Sequence, residues 1–412
     1  MVVPEPCEAH LDPSSGETRS RLELADILRR FGSSYAQTHS VSPVEQRIID
    51  DLIACRTARL GGHIEHCSQC GFERQADNSC RNRHCPKCQS VTKMRWVEAR
   101  RAELLPTPYF HTVVTLPHEL NPLVLANKRL LLGQLFRSAR ETLLDFGQRR
   151  LGGQLGATMI LHTWDQLLRP HFHVHALVPG GALVDKGQSW KATAATFLFP
   201  VKALSTVFRA KYLDALRQLY AEHALRFTDA TWALEAPTAF DTFVKRLRQK
   251  KWVVYAKPPF GGPEQTLNYL GRYTHRVAIS NYRLLDLQGD QVRFTFRNRQ
   301  QGDRLEVAQL EAHTFIQRFL LHVVPAGFMR IRHYGVLANR CKAHTLPLCR
   351  QALGQGEPPP PPEPKSVAQW MQQWTGIDIT RCPACGHQPL ERHPLPVVLG
   401  TSRNRDPPVA GP

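Results

Sequence analysis

The sequence has no apolar run approaching the ~18 residues a membrane span needs. Its longest candidate, Phe319 to Met329, is broken by His322 and Pro325. No apolar h-region follows Pro4, Glu5 and Glu8, so a secretory signal is not expected. There is no internal repeat and no Gly-rich loop of the kind that cradles nucleotide phosphates. Acidic residues are scarce: 35 Asp and Glu stand against 53 Lys and Arg, a formal net charge of +18. Such a surplus is a statement about partners rather than fold, and nucleic acid is the polyanion it favours over a plain basic enzyme. Membrane, secreted and disulfide-stapled classes fit poorly.

What is present is a chain of 412 residues with 42% hydrophobic residues, enough for two or three domains with a real core. Eleven cysteines are an odd number, and six fall between Cys55 and Cys88. Without a signal peptide, such clustering reads as metal ligands in a reducing compartment. The expected location is cytoplasmic, in a bacterial cell and associated with the nucleoid.

Periodicity divides the chain. Residues 1–20 are polar and expected to be disordered. Residues 21–105 read as a helical and zinc-binding module, with Ser42-Pro43 as an N-cap followed by proline at the first helical position. From residue 109 the pattern is mixed α+β. Strands are predicted over Tyr109–Leu116, Thr158–Thr163, Phe172–Val178 and Trp252–Ala256, and helices over Leu123–Phe146, Leu204–Leu225, Phe243–Lys251 and from Pro263 to about His275. Val277–Leu287 and Gln291–Arg297 read as a hairpin around Gly289-Asp290. The main domain is placed at 106–345. A proline-rich linker follows at 346–370, then a possible small second zinc element at 371–395 and a disordered tail at 396–412.

Cys67-x2-Cys70 and Cys85-x2-Cys88 are two knuckles suited to one tetrahedral zinc. With four protein ligands the ion would be structural. Cys80 or His84, and also His63 and His66, stand close enough to replace a ligand or cap a second ion. A third knuckle, Cys382-x2-Cys385, has His387 and His393 nearby, and the sequence assigns it no partner ligands.

Residues 171–178 read His-Phe-His-Val-His-Ala-Leu-Val. Alternate strand residues share a face, so His171, His173 and His175 point one way and Phe172, Val174 and Ala176 into the core. Two such imidazoles can converge on one divalent ion and leave positions for substrate oxygens. Tyr269 and Tyr273 are spaced i, i+4 behind Pro263, which puts both rings on one helix face. A tyrosine can serve as a covalent nucleophile when its electrophile is activated.

These blocks, in this order, resemble the rolling-circle transposases of the insertion sequence 91 family, within the His-hydrophobic-His superfamily of single-strand nucleases. The resemblance spans roughly residues 25–345. It rests on Ser79 to Gln89, Thr115 to Asn121, His162-Thr163-Trp164 running into Pro170 to His175 and Val178 to Gly181, Tyr269-Leu270-Gly271-Arg272-Tyr273 with Arg276 to Ser280, and Arg330 to Gly335. It implies a central antiparallel sheet with flanking helices, preceded by a small zinc module. His173 and His175 match the metal-binding pair, and Tyr269 and Tyr273 match the paired catalytic tyrosines. The third ligand is open: Asp165, Gln166, His162, His171 and Gln265 are candidates, with Gln166 and Gln265 ranked first.

The implied activity is nicking of single-stranded DNA at transposon ends, assisted by Mg²⁺ or Mn²⁺, through a 5′-phosphotyrosine. Phosphate contacts are expected from Lys245, Arg246, Arg248, Lys250, Lys251, Arg272, Arg276, Arg330 and Arg332, and host replication proteins are conceivable partners. The oligomeric state is not legible. The rival readings are a replication initiator or relaxase with the same chemistry, a non-catalytic zinc-containing DNA-binding regulator, and an RNA-binding zinc protein.

Overall fold

The computed structural model describes residues 22–194, 196–257, 277–298, 301–356 and 365–397, together with residues 265, 267, 271 and 363. The loose ends expected at 1–20 and 396–412 lie outside these residues, except for 396 and 397.

The chain begins with two helices, α1 (Leu24–Thr38) and α2 (Pro43–Ala54). Ser42 caps α2 as the sequence predicts: its hydroxyl accepts from the Glu45 amide while the Glu45 carboxylate accepts from the Ser42 amide at 2.9 Å. A hairpin of β1 (Gly62–His66) and β2 (Glu73–Asp77) follows, then α3 (Gln89–Arg101), which starts directly after Cys88.

The middle of the chain forms β3 (Tyr109–Thr115), α4 (Asn121–Ala126), α5 (Lys128–Phe146), β4 (Gly156–Trp164), β5 (Pro170–Pro179), β6 (Gly181–Val184), β7 (Ser189–Ala192), α6 (Val201–Ala221), α7 (Pro237–Gln249) and β8 (Val254–Lys257). The helix predicted over Leu123–Phe146 is two helices. Asn127 breaks it by leaving the helical backbone conformation, and its side chain bonds both Leu123 O and the Arg226 backbone.

The last third adds β9 (Leu284–Gln288), β10 (Gln291–Asn298), β11 (Arg304–Glu311), α8 (Ala312–Leu320), β12 (Ile331–Gly335), α9 (Lys342–Ala352), α10 (Val367–Thr375) and β13 (Glu391–Leu395). The predicted hairpin around Gly289 is present, but its first strand runs only over Leu284–Gln288, after a helical turn at Asn281–Arg283, and β11 adds a third strand that the sequence reading missed. Residues 342–352, which overlap the predicted linker, are helical instead.

The central sheet has the order β12-β4-β5-β3-β8, every pair antiparallel. Its apolar face carries Phe172, Val174, Ala176 and Val178 of β5 into a core built with α4 to α7. The helical layer therefore leaves the opposite face, with the histidines, to other elements. A second core joins α1 and α2 to α8 and to β9 and β10, through Leu24, Leu28, Ile49, Phe294 and Phe315. The N-terminal helices pack their core against residues 278–323. Among the described residues no helix is long and apolar enough to cross a membrane.

Candidate active site and metal centres

The antiparallel register of β4 and β5 sets His162 directly opposite His173, and Ile160 opposite His175. Directly paired residues share a face, so His162, His173 and His175 stand together. One ring nitrogen from each lies within 4.8 Å of the others. His162 and His175 are buried and His173 is half-buried, so the site is screened from bulk water but open on one side.

Neighbouring groups fix the rings. The Nδ1–H of His173 donates to the His171 carbonyl at 2.9 Å, which leaves Nε2 as the lone-pair donor. His171 itself is exposed. His175 Nδ1 lies 2.8 Å from Nε2 of His111 on β3, their rings stacked at 5.0 Å. Burial pushes the His111 imidazole down to about 4, so it is neutral near pH 7 and able to take the His175 proton; in that tautomer His175 Nε2 is kept for an ion. The His162 ring stacks on Trp164 at 5.1 Å. Three imidazoles in this arrangement can hold a divalent ion and leave coordination positions open. His111→Ala is expected to weaken divalent-ion binding about 10- to 100-fold, as read by a Mn²⁺ titration followed by paramagnetic resonance.

Of the two glutamines ranked first as third ligand, Gln166 follows β4, and its backbone carbonyl accepts from Arg283. Gln265 is helical and exposed. The register instead supplies His162, a candidate that the ranking placed lower. The short connection makes the two predicted strands pair antiparallel, but the register that brings His162 across from His173 is set only in the fold.

Tyr269, Tyr273, Arg272 and Arg276 lie outside the described residues. Leu267 and Gly271, on either side of Tyr269, are buried and helical. Leu267 lines a small cavity with Thr158 and Leu177 of the histidine face and with Trp96 and Arg100 of α3. Gly271 meets α3 so closely that a Cβ there would overlap Val97 Cγ2. Arg100 also bonds His333 of β12 at 3.0 Å. The helix that leaves the cysteine cluster thus packs against both the histidine face and the segment containing Gly271.

The four cysteines assigned to one zinc are divided between two groups. Cys85 and Cys88 join Cys55 and Cys80, while Cys67 and Cys70 join Cys382 and Cys385. Sulfur separations are 3.4 Å for Cys55–Cys88, 3.5 Å for Cys55–Cys85 and 3.7 Å for Cys80–Cys88. They are 3.6 Å for both Cys67–Cys385 and Cys70–Cys382. These are far longer than a disulfide. They match the edge of about 3.8 Å that a tetrahedron of thiolates has around an ion with ~2.3 Å bonds. Hydrogen bonds from the Cys55, Cys80 and Cys85 thiols push Cys88 below the usual thiol range, the direction that favours metal binding.

Cys80 is therefore a ligand position beside Cys55, which the sequence reading passed over. His84 belongs to neither group: it is buried, and desolvation with nearby Arg330 and Arg83 keeps its imidazole neutral. The third knuckle gains its partners from the N-terminal hairpin. Strand β13 pairs with β1 in the order β13-β1-β2, so residues 371–395 and the 62–77 hairpin are one unit and not separate elements. A further trio on that sheet, His66, Glu391 and His393, brings its ligand atoms within 4.8 Å.

The predicted phosphate contacts are dispersed. Lys245, Arg246, Arg248, Lys250 and Lys251 are exposed on or after α7, in the helical layer away from the histidines. Arg248 pairs with Asp214 at 3.3 Å and Lys250 with Glu119. Arg332 lies over the rings of Phe136 at 4.2 Å and Phe328 at 5.0 Å. Arg330 is largely enclosed, and its guanidinium is pushed down to about 10 by burial and by Arg83.

Two family models match, "Transposase zinc-binding domain" over residues 27–116 and "Putative transposase" over residues 156–344. The chain belongs to the insertion sequence 91 family of transposases. It is 46% identical over 375 residues to the "Putative transposase y4qJ" of Sinorhizobium fredii, covering 90% of this chain and 94% of the relative. It is 30% identical over 355 residues to the transposase for insertion sequence element IS801 of Pseudomonas savastanoi pv. phaseolicola, covering 83% of this chain and 82% of that one. No solved structure matches the chain significantly. Within this transposase, the Cys55 group falls inside the matched zinc-binding domain and the three histidines inside the second stretch. Cys382 and Cys385 lie beyond both.

Proposed function

We propose that the protein nicks single-stranded DNA at the ends of an insertion sequence and joins strands by rolling-circle transposition, with Tyr269 and Tyr273 as nucleophiles. The observation that carries this reading is the convergence of His162, His173 and His175 on the sheet face that also receives Leu267. A divalent ion bound there supplies charge neutralisation and polarisation at the scissile phosphate.

The residues do the rest. A tyrosine oxygen attacks phosphorus, the bond to the 3′-oxygen breaks, and that oxygen leaves as a 3′-hydroxyl after taking a proton. The 5′-phosphotyrosine conserves the phosphodiester bond energy, so no nucleotide cofactor is needed. A second tyrosine permits a second linked transfer before the first intermediate is released. An all-imidazole donor set is softer than a carboxylate one, which favours Mn²⁺ over Mg²⁺. The Cys55 group would hold zinc at the start of α3 and so brace the helix whose Val97 meets Gly271.

The test is a denaturing gel with labelled single strands carrying element ends and zinc-loaded protein, with Mn²⁺ added or with no divalent ion added. Wild-type protein is expected to form a metal-dependent covalent adduct, and Tyr269→Phe/Tyr273→Phe none. An adduct that survives in the double variant sinks the assignment of the nucleophiles. Absence of any adduct from zinc-loaded, DNA-binding protein favours the non-catalytic regulator.

A further inference from the structure

Beyond the histidines, the same sheet face ends on an edge strand whose chemistry the nicking reaction does not use. Among the described residues, strand β8 ends the central sheet and pairs with β3 alone. The register sets Tyr255 opposite Val113 and Lys257 opposite His111. Val113 in turn faces His175. Tyr255 and Lys257 therefore belong to the face that carries the three histidines, in the rows that run through His175 and His111.

The contacts are continuous. The Tyr255 ring meets His111 edge-on at 6.3 Å and 79°. The Lys257 ammonium lies 5.1 Å from the Tyr255 ring centroid. His111 bonds His175. Tyr255 is nonetheless 37% exposed and Lys257 is exposed, whereas Val254, on the opposite side of the strand, is buried. Val253, two residues earlier on the same side, is 61% exposed.

The residues of this face, from Ile331 and His333 through Thr158, Ile160 and His162 to Lys257, include no Asp or Glu among the described strand positions. An aromatic ring, a cation and no anion beside a metal centre make a surface for an unpaired, negatively charged strand.

We infer that Tyr255 and Lys257 form a subsite for single-stranded DNA next to the histidine centre, the ring stacking on an unpaired base and the ammonium meeting a backbone phosphate. This rests on the reading of single-stranded DNA as the substrate. A lysine on a sheet edge also blocks edge-to-edge association, so the test must separate the two roles.

Binding of a fluorescent single-stranded oligonucleotide carrying an element end is measured by anisotropy on zinc-loaded protein with no divalent ion added and no chelator, so that the cysteine groups stay intact while no adduct forms. Tyr255→Ala is expected to weaken binding roughly ten- to a hundredfold, while Tyr255→Phe, which keeps the ring, restores it. Lys257→Ala is expected to flatten the dependence of log affinity on log salt by about 0.7. Duplex of the same sequence should be indifferent to Tyr255→Ala, because its bases are already stacked.

Equal losses on duplex and single strand overturn the stacking role, as does failure of Tyr255→Phe to restore binding. An unchanged salt slope in Lys257→Ala overturns the phosphate contact. The adduct gel reports separately. Adduct formation with unaltered binding in both variants removes this subsite and leaves the nuclease reading standing. The predicted binding losses without any adduct do the reverse.

Discussion

His162→Ala is expected to abolish metal-dependent nicking at limiting Mn²⁺, with ion affinity lowered on the order of a hundredfold or more. The reason is the number of donors. Three ring nitrogens lie within 4.8 Å of one another, and removing one leaves two from a single strand, His173 and His175. Those two are set by the pleat of β5 alone. His162 comes from β4 and converts a pair into a three-sided seat.

The same substitution removes a buried ring that stacks on Trp164, so part of any loss could be packing. Gln166→Ala is the discriminating companion. It deletes the glutamine ranked first from sequence while leaving its backbone carbonyl, which Arg283 uses, in place. Paramagnetic titration of Mn²⁺ and the nicking gel on both variants decide the matter. A larger loss in Gln166→Ala than in His162→Ala would transfer the third ligand to Gln166.

The contrast between these histidines shows what a sequence can carry. His173 and His175 are legible because strand alternation is local: every second residue shares a face whatever the fold. His162 requires a pairing register, and the register depends on a turn that includes a bulge between His162 and Trp164. The cysteines repeat the lesson. Each C-x2-C knuckle is local and was read correctly as a knuckle. Which two knuckles share an ion is tertiary, and nearness along the chain favoured the wrong pairing.

Cys67 and Cys385 are 318 residues apart, yet their sulfurs lie at 3.6 Å. The split at Asn127 was hidden for a similar reason, since the groups that stabilise the break belong to the Arg226 loop. Strand β11 was missed because its side chains are largely solvated, so no apolar stripe marked it.

Cys382→Ser/Cys385→Ser is expected to lower the zinc content by one equivalent and to release β13 from β1. Structural zinc sites of this kind hold about 10 kcal/mol or more of metal-coupled folding energy in small modules. The 62–77 hairpin has little else: the cluster around its zinc consists of Cys67, Cys382 and Leu390 with Phe72 beside them. Glu65, buried on β1, receives Arg74 from its own hairpin but also Arg392 from β13 at 3.3 Å.

Once β13 leaves, β1 loses a strand partner, and two-stranded hairpins are marginal in water. The Cys55 group and the core of α1 and α2 do not touch this unit through any shared ligand, so the loss should stay local. Hydrogen exchange is expected to show faster exchange across residues 62–77 with α1 and α2 still protected. Elemental analysis should show one zinc fewer than wild type. Cys341→Ser serves as the control, because that thiol only donates to Gly335 O and Ala338 O and should leave the zinc content unchanged. An unaltered zinc count in the double variant, with the hairpin still protected, would mean that Cys67 and Cys70 complete their site without the C-terminal strand.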